Sequence, residues 1–516
     1  MFDDATVYTA LQYFSKGAVA HVRIASAPEG EADAADVDWS DDTLAVVYDA
    51  IPQQGEWLMA TGEDRVLIDR LSMTCRRLDD PAITDAIFQG LVTSADPIYH
   101  LERIRAGVYR CSPKKAPSYE VEIEDAIMKP LVSGKEAKRY EEPQTNTFLL
   151  FPYAKNAKDQ MILLPNESLA RDFPKAWQYL KSWEPQLRGR EKGKMNRDED
   201  WWAYVYPKSL GRHSVEKLIV PRLVQHLKSA LDKDGTYYLD NADVGGVSMA
   251  PGTDGSYLNG VLNGRVADFV FRAIAKPFRG DYRSANKQFI APLPIPDAPP
   301  EQRAEVARRA RDLQTRWTRR RDLLAGCEAR LSVLARARHN ERWLWPDLQP
   351  VAEIQAGAPA GLKMAGERRD WARARFDEAV AVRCEALQAG LDGGGRLEVA
   401  FHDGELKLFA GGQVLLDRIY LDEAKGRLAE AWWRWLLLSQ TWREADKLAA
   451  QLRRPPADAA LPAAAQFIDK VAELAGETAA IEQGETEMNA LLFDLYALTP
   501  AERLLVNNDR SARGRA

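Results

Sequence analysis

Five prolines crowd into residues 292–300 (Pro292, Pro294, Pro296, Pro299 and Pro300) and set a hard boundary in the chain. Each fixes its own φ and lacks a backbone donor, so a regular element is interrupted there. Before the boundary, apolar runs between turns alternate with helical patterns; after it the pattern is mostly helical and rich in arginine. With 516 residues the chain exceeds one ordinary core. The reading is an α+β, multidomain protein divided into residues 1–131, 132–296, 301–395 and 396–516.

Before the boundary, Thr6–Phe14, Val19–Ile24 and Leu44–Tyr48 read as strands, and Arg65–Leu71 and Pro81–Phe88 as helices. Residues 1–50 carry ten acidic residues against Lys16 and Arg23. Pro165–Trp183 reads as one helix with Leu169, Phe173, Trp177, Leu180 and Trp183 at three- or four-residue spacing. Lys217–Arg222 is a strand and Tyr257–Phe271 a helix. After the boundary, Glu301–Arg342 is a long helix with twelve arginines against six acids and a Leu313/Trp317/Leu324/Leu331/Leu334 seam. Asp370–Ala389 is its expected antiparallel mate. Arg396–Phe401 and Glu405–Phe409 form a hairpin about Asp403-Gly404, because Asp-Gly suits a tight turn. Ala424–Leu452 and Ala464–Tyr496 are the closing helices, joined by a Pro/Ala linker at 453–463.

Composition excludes several classes. Cys75, Cys111, Cys327 and Cys384 are far apart and show no CxxC pair, against a disulfide framework or a zinc cluster. No apolar run approaches about 18 residues, so neither a membrane span nor a signal segment is expected and the cytoplasm is the expected compartment. Gly245-Gly246, Gly252–Gly255 and Gly393–Gly395 read as turns rather than as a glycine-rich loop opening a helix. Pro299-Pro300 and Pro455-Pro456 precede Glu301 and Ala457, so the Asn/Asp/Ser-Pro-Pro-aromatic tetrapeptide of amino-methyltransferases is missing. Asp403, Glu405 and Lys407 superficially fit an acid-x-lysine nuclease ending, yet alternating charge on a hairpin is the usual solvated face. No nucleophile elbow supports a hydrolytic triad.

The net charge of −6 gives no global sign of a polyanion partner, so cationic surface must be local. A glycine-hinged turn holds Lys135, Lys138 and Arg139 and leads to an apolar strand ending Phe151-Pro152-Tyr153. A second turn, Arg283, Asn286 and Lys287, leads to the apolar closure Phe289–Pro296. Between them lies Arg188, Arg190, Lys192, Lys194 and Arg197, five basic residues against Glu191 alone, followed by Trp201-Trp202. Such a run suits backbone neutralisation by a flexible loop; a solvated loop capped by core tryptophans is the other reading. Asn259 and Asn263 have side chains able to read base edges, or to cap turns and helices. The arginine-rich helix is a coiled-coil surface or a partner-binding one.

These segments share an order. Val132–Tyr153 (VSGKEAKRYEEPQTNTFLLFPY) and Asp281–Pro296 (DYRSANKQFIAPLPIP) resemble the opening and closing signatures of the target-recognition domain in Taq-type adenine-N6 DNA methyltransferases. Phe88–Tyr99, Phe173–Lys181, Trp201–Lys208, Leu210–Arg212, Lys217–Arg222 and Tyr257–Gly264 fall between or before them in the family's order. MFDDATVYTALQYF resembles a late strand of the family's catalytic sheet, and Leu491–Thr499 the tail helices of large restriction–modification and phage-defence methylases. The resemblance covers about residues 1–296 and lacks the catalytic and donor-binding motifs. It implies a remnant of an α/β methyltransferase sheet, a mixed α/β recognition domain and a helical C-terminal region with one hairpin. It also implies double-stranded DNA as ligand, with Lys135, Lys138, Arg139, Arg188, Arg190, Lys192, Lys194, Arg197, Arg212, Arg283, Asn286 and Lys287 as contacts. A split enzyme, a shortened chain and a decayed homologue all fit the missing motifs; the apolar start favours the first. A catalytic subunit would then dock on residues 1–130 and bind S-adenosylmethionine, with no cofactor held by this chain alone. A non-catalytic DNA-binding or assembly protein of a defence complex is the alternative.

Overall fold

The computed structural model describes residues 62–196, 199–241 and 243–508, together with His21–Arg23, Ser40, Ala45–Val47 and Ala60. The fold is mixed, multidomain and α+β, 47% helical and 20% strand. Among the described strands one pairing is parallel, Tyr238–Leu239 on Leu131–Val132. Two compact units divide the chain: Met1–Trp317 with Gly484–Asp509, and Thr318–Gln483 with Arg510–Ala516.

The first unit holds two main sheets. A six-stranded sheet runs Tyr238–Leu239, Met128–Val132, Thr147–Leu150, His100–Arg105, Val108–Cys111 and Tyr119–Glu122 in spatial order. Three short helices, Asn166–Asp172, Pro174–Ser182 and Glu184–Arg188, bring Leu169, Ala176, Leu180 and Leu187 into one core with Leu101, Tyr109 and Leu149 of the sheet. The expected single helix over 165–183 breaks at Phe173, whose backbone (φ −137°, ψ 57°) is not helical, because Pro174 disfavours helical backbone in the residue before it. A four-stranded sheet runs Ala230–Asp232, Lys217–Pro221, Val244–Met249 and Thr84–Gln89. Its second strand is buried throughout, as its apolar run Leu218–Val220 requires. The expected helix Pro81–Phe88 is instead replaced from Thr84 by strand Thr84–Gln89, with Thr84 and Phe88 buried and Asp85 and Gln89 exposed, paired along Val244–Met249. Tertiary pairing overrides the local pattern there.

Helix Tyr257–Phe271 is two, Gly255–Leu262 and Arg265–Ile274, parted at Asn263-Gly264. Thr6–Phe14 lies outside the described residues. Within Val19–Ile24 and Leu44–Tyr48, His21–Arg23 and Ala45–Val47 do pair as antiparallel strands.

In the second unit, Leu397–His402, Glu405–Ala410 and Gln413–Tyr420 form an antiparallel meander. Asp403 (φ 51°) and Gly404 (φ 78°) form the expected two-residue turn, the left-handed pair that matches strand twist. The third strand was not expected; its Arg418 has φ 58° and its register shifts, which breaks the alternation a strand normally shows. Helix Glu423–Ser439 lies on the sheet and buries Trp432 and Trp433. The expected continuation to Leu452 is a separate helix, Ala445–Leu452.

Helix Pro300–Leu331 stops well before Arg342. Asp370–Ala389 lies within helix Ala365–Asp392, whose Phe376 and Leu387 share a core with Leu323, Cys327 and Leu331. Arg309 pairs with Glu487 at 2.6 Å in the first unit, and Arg319 with Glu477 at 3.5 Å in the second, both acids on helix Pro462–Leu495. Its arginines are therefore largely consumed by carboxylates. No helix among the described residues is long and apolar enough to cross a membrane.

Candidate nucleic-acid interface

The opening turn is built by its own side chains. Ser133 donates through both backbone nitrogen and hydroxyl to Glu136, at 3.0 and 2.6 Å, and Gly134 N–H donates to Asp243 Oδ1 at 2.9 Å. Glycine is required at 134, since a Cβ would lie 2.9 Å from the Asp243 carbonyl oxygen. Tyr140 follows in left-handed backbone (φ 55°) with its ring fully buried, and its N–H donates to Ser229 O at 2.9 Å. Ser229 belongs to a buried network: its hydroxyl bonds to Asn259 Oδ1 at 2.8 Å and its N–H donates to Asn263 Oδ1 at 3.0 Å. Asn259 and Asn263 are wholly buried. They fix the turn rather than read bases.

What the turn leaves outside is its two lysines. Lys135 is 78% exposed and rests on Glu136 at 3.4 Å; Lys138 is 54% exposed and rests on Glu141 at 3.4 Å. The acids are largely buried while both ammonium groups face water, so each lysine can turn to another anion. Burial first, and the charge of Lys138 second, hold the Lys228 ammonium below its ordinary pKa, so like charges crowd this edge. Arg139 differs from the expectation. Its guanidinium donates to Glu485 at 2.7 Å and lies 5.2 Å from the Tyr140 ring centre, and the side chain is 19% exposed.

The closing turn comes to the same place, through a residue that the sequence reading left unassigned. Arg222 Nε donates to Asn286 Oδ1 at 2.7 Å and Nη1 to Asn241 O at 2.9 Å. Arg222 N–H donates to Asp243 O at 2.7 Å, and Ala285 N–H to Arg222 O at 2.8 Å. Gly134, Asp243, Arg222 and Asn286 thus form one connected chain of bonds. Asn286 is occupied by Arg222, and Arg283 is held by Asp281 at 3.2 Å with its side chain 16% exposed. Lys287 is exposed. The only signal for Arg222 in sequence was a cation immediately after a proline-ended strand.

The basic run 188–197 is not one flexible loop. Arg190 is 6% exposed and donates to the carbonyls of Leu187, Thr93, Trp201 and Ala203, at 2.6 to 2.9 Å. It is a structural residue, removed from any contact surface by burial. Arg188 pairs with Glu184 at 2.8 Å and lies 5.6 Å from the Trp201 ring centre. Glu191, Lys192 and Gly193 are all left-handed (φ 48°, 59° and 84°), which reverses the chain and leaves Lys192 exposed. Lys194 is exposed and stands 4.4 Å from the Tyr206 ring centre. Arg197 lies outside the described residues. Trp201 and Trp202 are core residues, stacked and edge-on respectively against Trp177.

One short segment ties the two cationic regions together. Leu91 bridges to Asp240, two residues from Ala242 and three from Asp243; Val92 bridges to Tyr206, the ring under Lys194; and Thr93 O accepts from Arg190. Leu91 to Thr93 spans at most about 7 Å. Arg212 is elsewhere, at the end of the short 3-10 helix Leu210–Arg212, ion-paired with Asp85 of the four-stranded sheet and 39% exposed.

The exposed lysines of this arrangement carry the charge that pairs with phosphates. In the second unit, Glu405 pairs with Lys407 at 2.9 Å and accepts from Arg418 N–H at 2.7 Å. No cluster of three histidine, cysteine or acidic side chains among the described residues is suited to a metal ion. No protein-family model matches the chain, and no curated protein matches it either.

Proposed function

We propose that this chain is the DNA-reading subunit of a split, site-specific adenine-N6 DNA methyltransferase of a restriction–modification or phage-defence system, working in the cytoplasm. One observation carries the reading. The two signature turns, 132–140 and 283–287, are bonded into one patch through Asp243 and Arg222, with Lys135, Lys138 and Lys287 exposed on it. Cations on turns with fixed backbone suit phosphate contact, which sets register on a duplex. Base readout would then fall to neighbouring polar groups. The partner polypeptide supplies S-adenosylmethionine and the pocket for adenine, which must leave the stack because N6 is inaccessible inside the duplex.

Binding and chemistry are tested separately. The triple variant Lys135→Ala/Lys138→Ala/Lys287→Ala is expected to bind duplex DNA more weakly and to flatten the slope of log K against log salt by about 2 to 3. Fluorescence anisotropy across a salt series measures this, and an unchanged slope removes the patch from the interface. Co-expression with methyltransferase catalytic subunits, followed by adenine-methylation mapping, tests the enzyme. DNA binding with no methylation from any partner selects the DNA-binding or assembly reading instead.

A further inference from the structure

In the second unit, two loops run antiparallel and put cations together. Ala337 N–H donates to Pro455 O at 2.9 Å, Ala457 N–H donates to Ala335 O at 2.7 Å, and Arg336 bridges to Pro456. Pro455 and Pro456 stiffen one loop. This register gathers Arg338 and His339 from one loop and Arg453 and Arg454 from the other; Arg338, His339 and Arg454 are exposed. Arg453 is not: it is 6% exposed and lies 4.2 Å from the Trp345 ring centre. Among the described residues its buried Nε and Nη2 meet no acceptor, and Nη1 reaches only His339 Nε2, at 3.4 Å.

A guanidinium stays charged in any protein environment, and burying it without a counter-charge is costly. The aromatic face of Trp345 offsets part of that cost. The acids nearby do not complete it. Glu341 acts on Arg453 only through space, with no hydrogen bond to it, and its carboxylate lies 3.6 Å from His339 Nδ1; burial pushes the Cys384 thiol up, so it is neutral near pH 7. His339 brings no negative charge: burial first, and then the charge of Arg453, lower its pKa, with Arg454 acting in the same sense against Glu341. For stability alone, a long apolar side chain at 453 would serve better. Among the described residues, the guanidinium therefore lacks a hydrogen-bonded anion.

We propose that Arg453, His339, Arg338 and Arg454 form a binding site for a phosphate group. An oxyanion carrying full charge replaces the long imidazole contact as acceptor for Arg453, and the exposed arginines close on its remaining oxygens. Either a free phosphate ligand or the backbone of a nucleic acid presents that chemistry. The site is independent of the DNA-reading proposal, since every residue in it belongs to the second unit.

The full-length protein is titrated with inorganic phosphate against chloride at matched ionic strength, by calorimetry and by thermal melting. Wild type is expected to bind and to melt higher in phosphate. Arg338→Ala/Arg454→Ala, which alters exposed residues only, is expected to lose on the order of tenfold to a hundredfold in phosphate affinity. Arg453→Met is expected to lose the phosphate response while melting no lower than phosphate-free wild type. Should that variant fail to fold, the double variant decides. A wild type that answers phosphate no more than chloride, or a double variant that binds like wild type, overturns the site. A short duplex oligonucleotide that displaces phosphate identifies a nucleic-acid backbone as the source; failure to displace identifies a free ligand. Lys135→Ala/Lys138→Ala/Lys287→Ala should keep its phosphate response whatever becomes of its DNA binding.

Discussion

Arg190 and Lys192 stand two positions apart in one basic run, and burial gives them unlike work. Arg190 donates to four carbonyls, and Arg190→Met would withdraw those donors from the core. Each orphaned buried group costs roughly 1–3 kcal/mol, so a total loss of about 3–5 kcal/mol is expected in urea unfolding. Lys192→Ala should stay within about 0.5 kcal/mol. His213 makes a second residue-scale case. It is fully buried, its Nδ1 accepts from Leu239 N–H at 3.2 Å, and burial, with the charge of Lys217 behind it, lowers its pKa to about 3. The unfolded chain then binds a proton below its own pKa of about 6.5 that the folded chain refuses. Stability from this group is whole above pH 6.5 and falls as pH drops toward 3, by on the order of 1 kcal/mol per pH unit. Denaturant midpoints from pH 7 to 4 measure the slope, and His213→Gln should flatten it. Lys135, Lys138 and Lys287 were legible as exposed cations because turn residues face water. Arg190 and Arg139 were not, since nothing local says that carbonyls or Glu485 will surround them.

Elements were legible where the signal is local. Asp403-Gly404 fixed a register from His402↔Glu405 outward, and the alternating strands on either side agreed with it. Seams of leucine and tryptophan announced helices but not their ends or mates. The partner of Pro300–Leu331 depends on carboxylates more than 150 positions downstream, which no window along the chain brings together. Packing between elements is equally invisible in sequence. Gly426, early in helix Glu423–Ser439, lies so close to Phe401 of the meander that a Cβ would come within 2.0 Å of its ring. Gly426→Ala, which ordinarily favours a helix, should therefore destabilise the protein by about 1–3 kcal/mol through overpacking. Thermal melting checks this, and adding Phe401→Leu should recover part of the loss.

At the scale of the whole molecule, a net charge of −6 means that attraction to a polyanion is confined to patches. With screening over about 8 Å at physiological salt, the acidic remainder is felt weakly there and more strongly as salt is lowered. The slope expected for Lys135, Lys138 and Lys287 is therefore best measured at and above physiological salt. The candidate patch itself was half legible. Its two turns could be named, but their joining through Arg222 and Asp243 is a property of the folded chain. So is the division into units, which crosses the proline boundary that the sequence emphasises. The first unit is completed by residues from Gly484 onward: Tyr496 donates to Pro294 O at 2.8 Å, Glu502 pairs with Arg70 at 2.9 Å, and Leu492 seats against Gly264. A ribosome must make Thr318–Gln483 between these two pieces, a wait on the order of ten seconds. Throughout it, the sockets for Leu492 and Tyr496 stand open on the nascent chain. The first unit to be synthesised is thus the last to close, and the interval exposes apolar surface to chaperones and to misassembly.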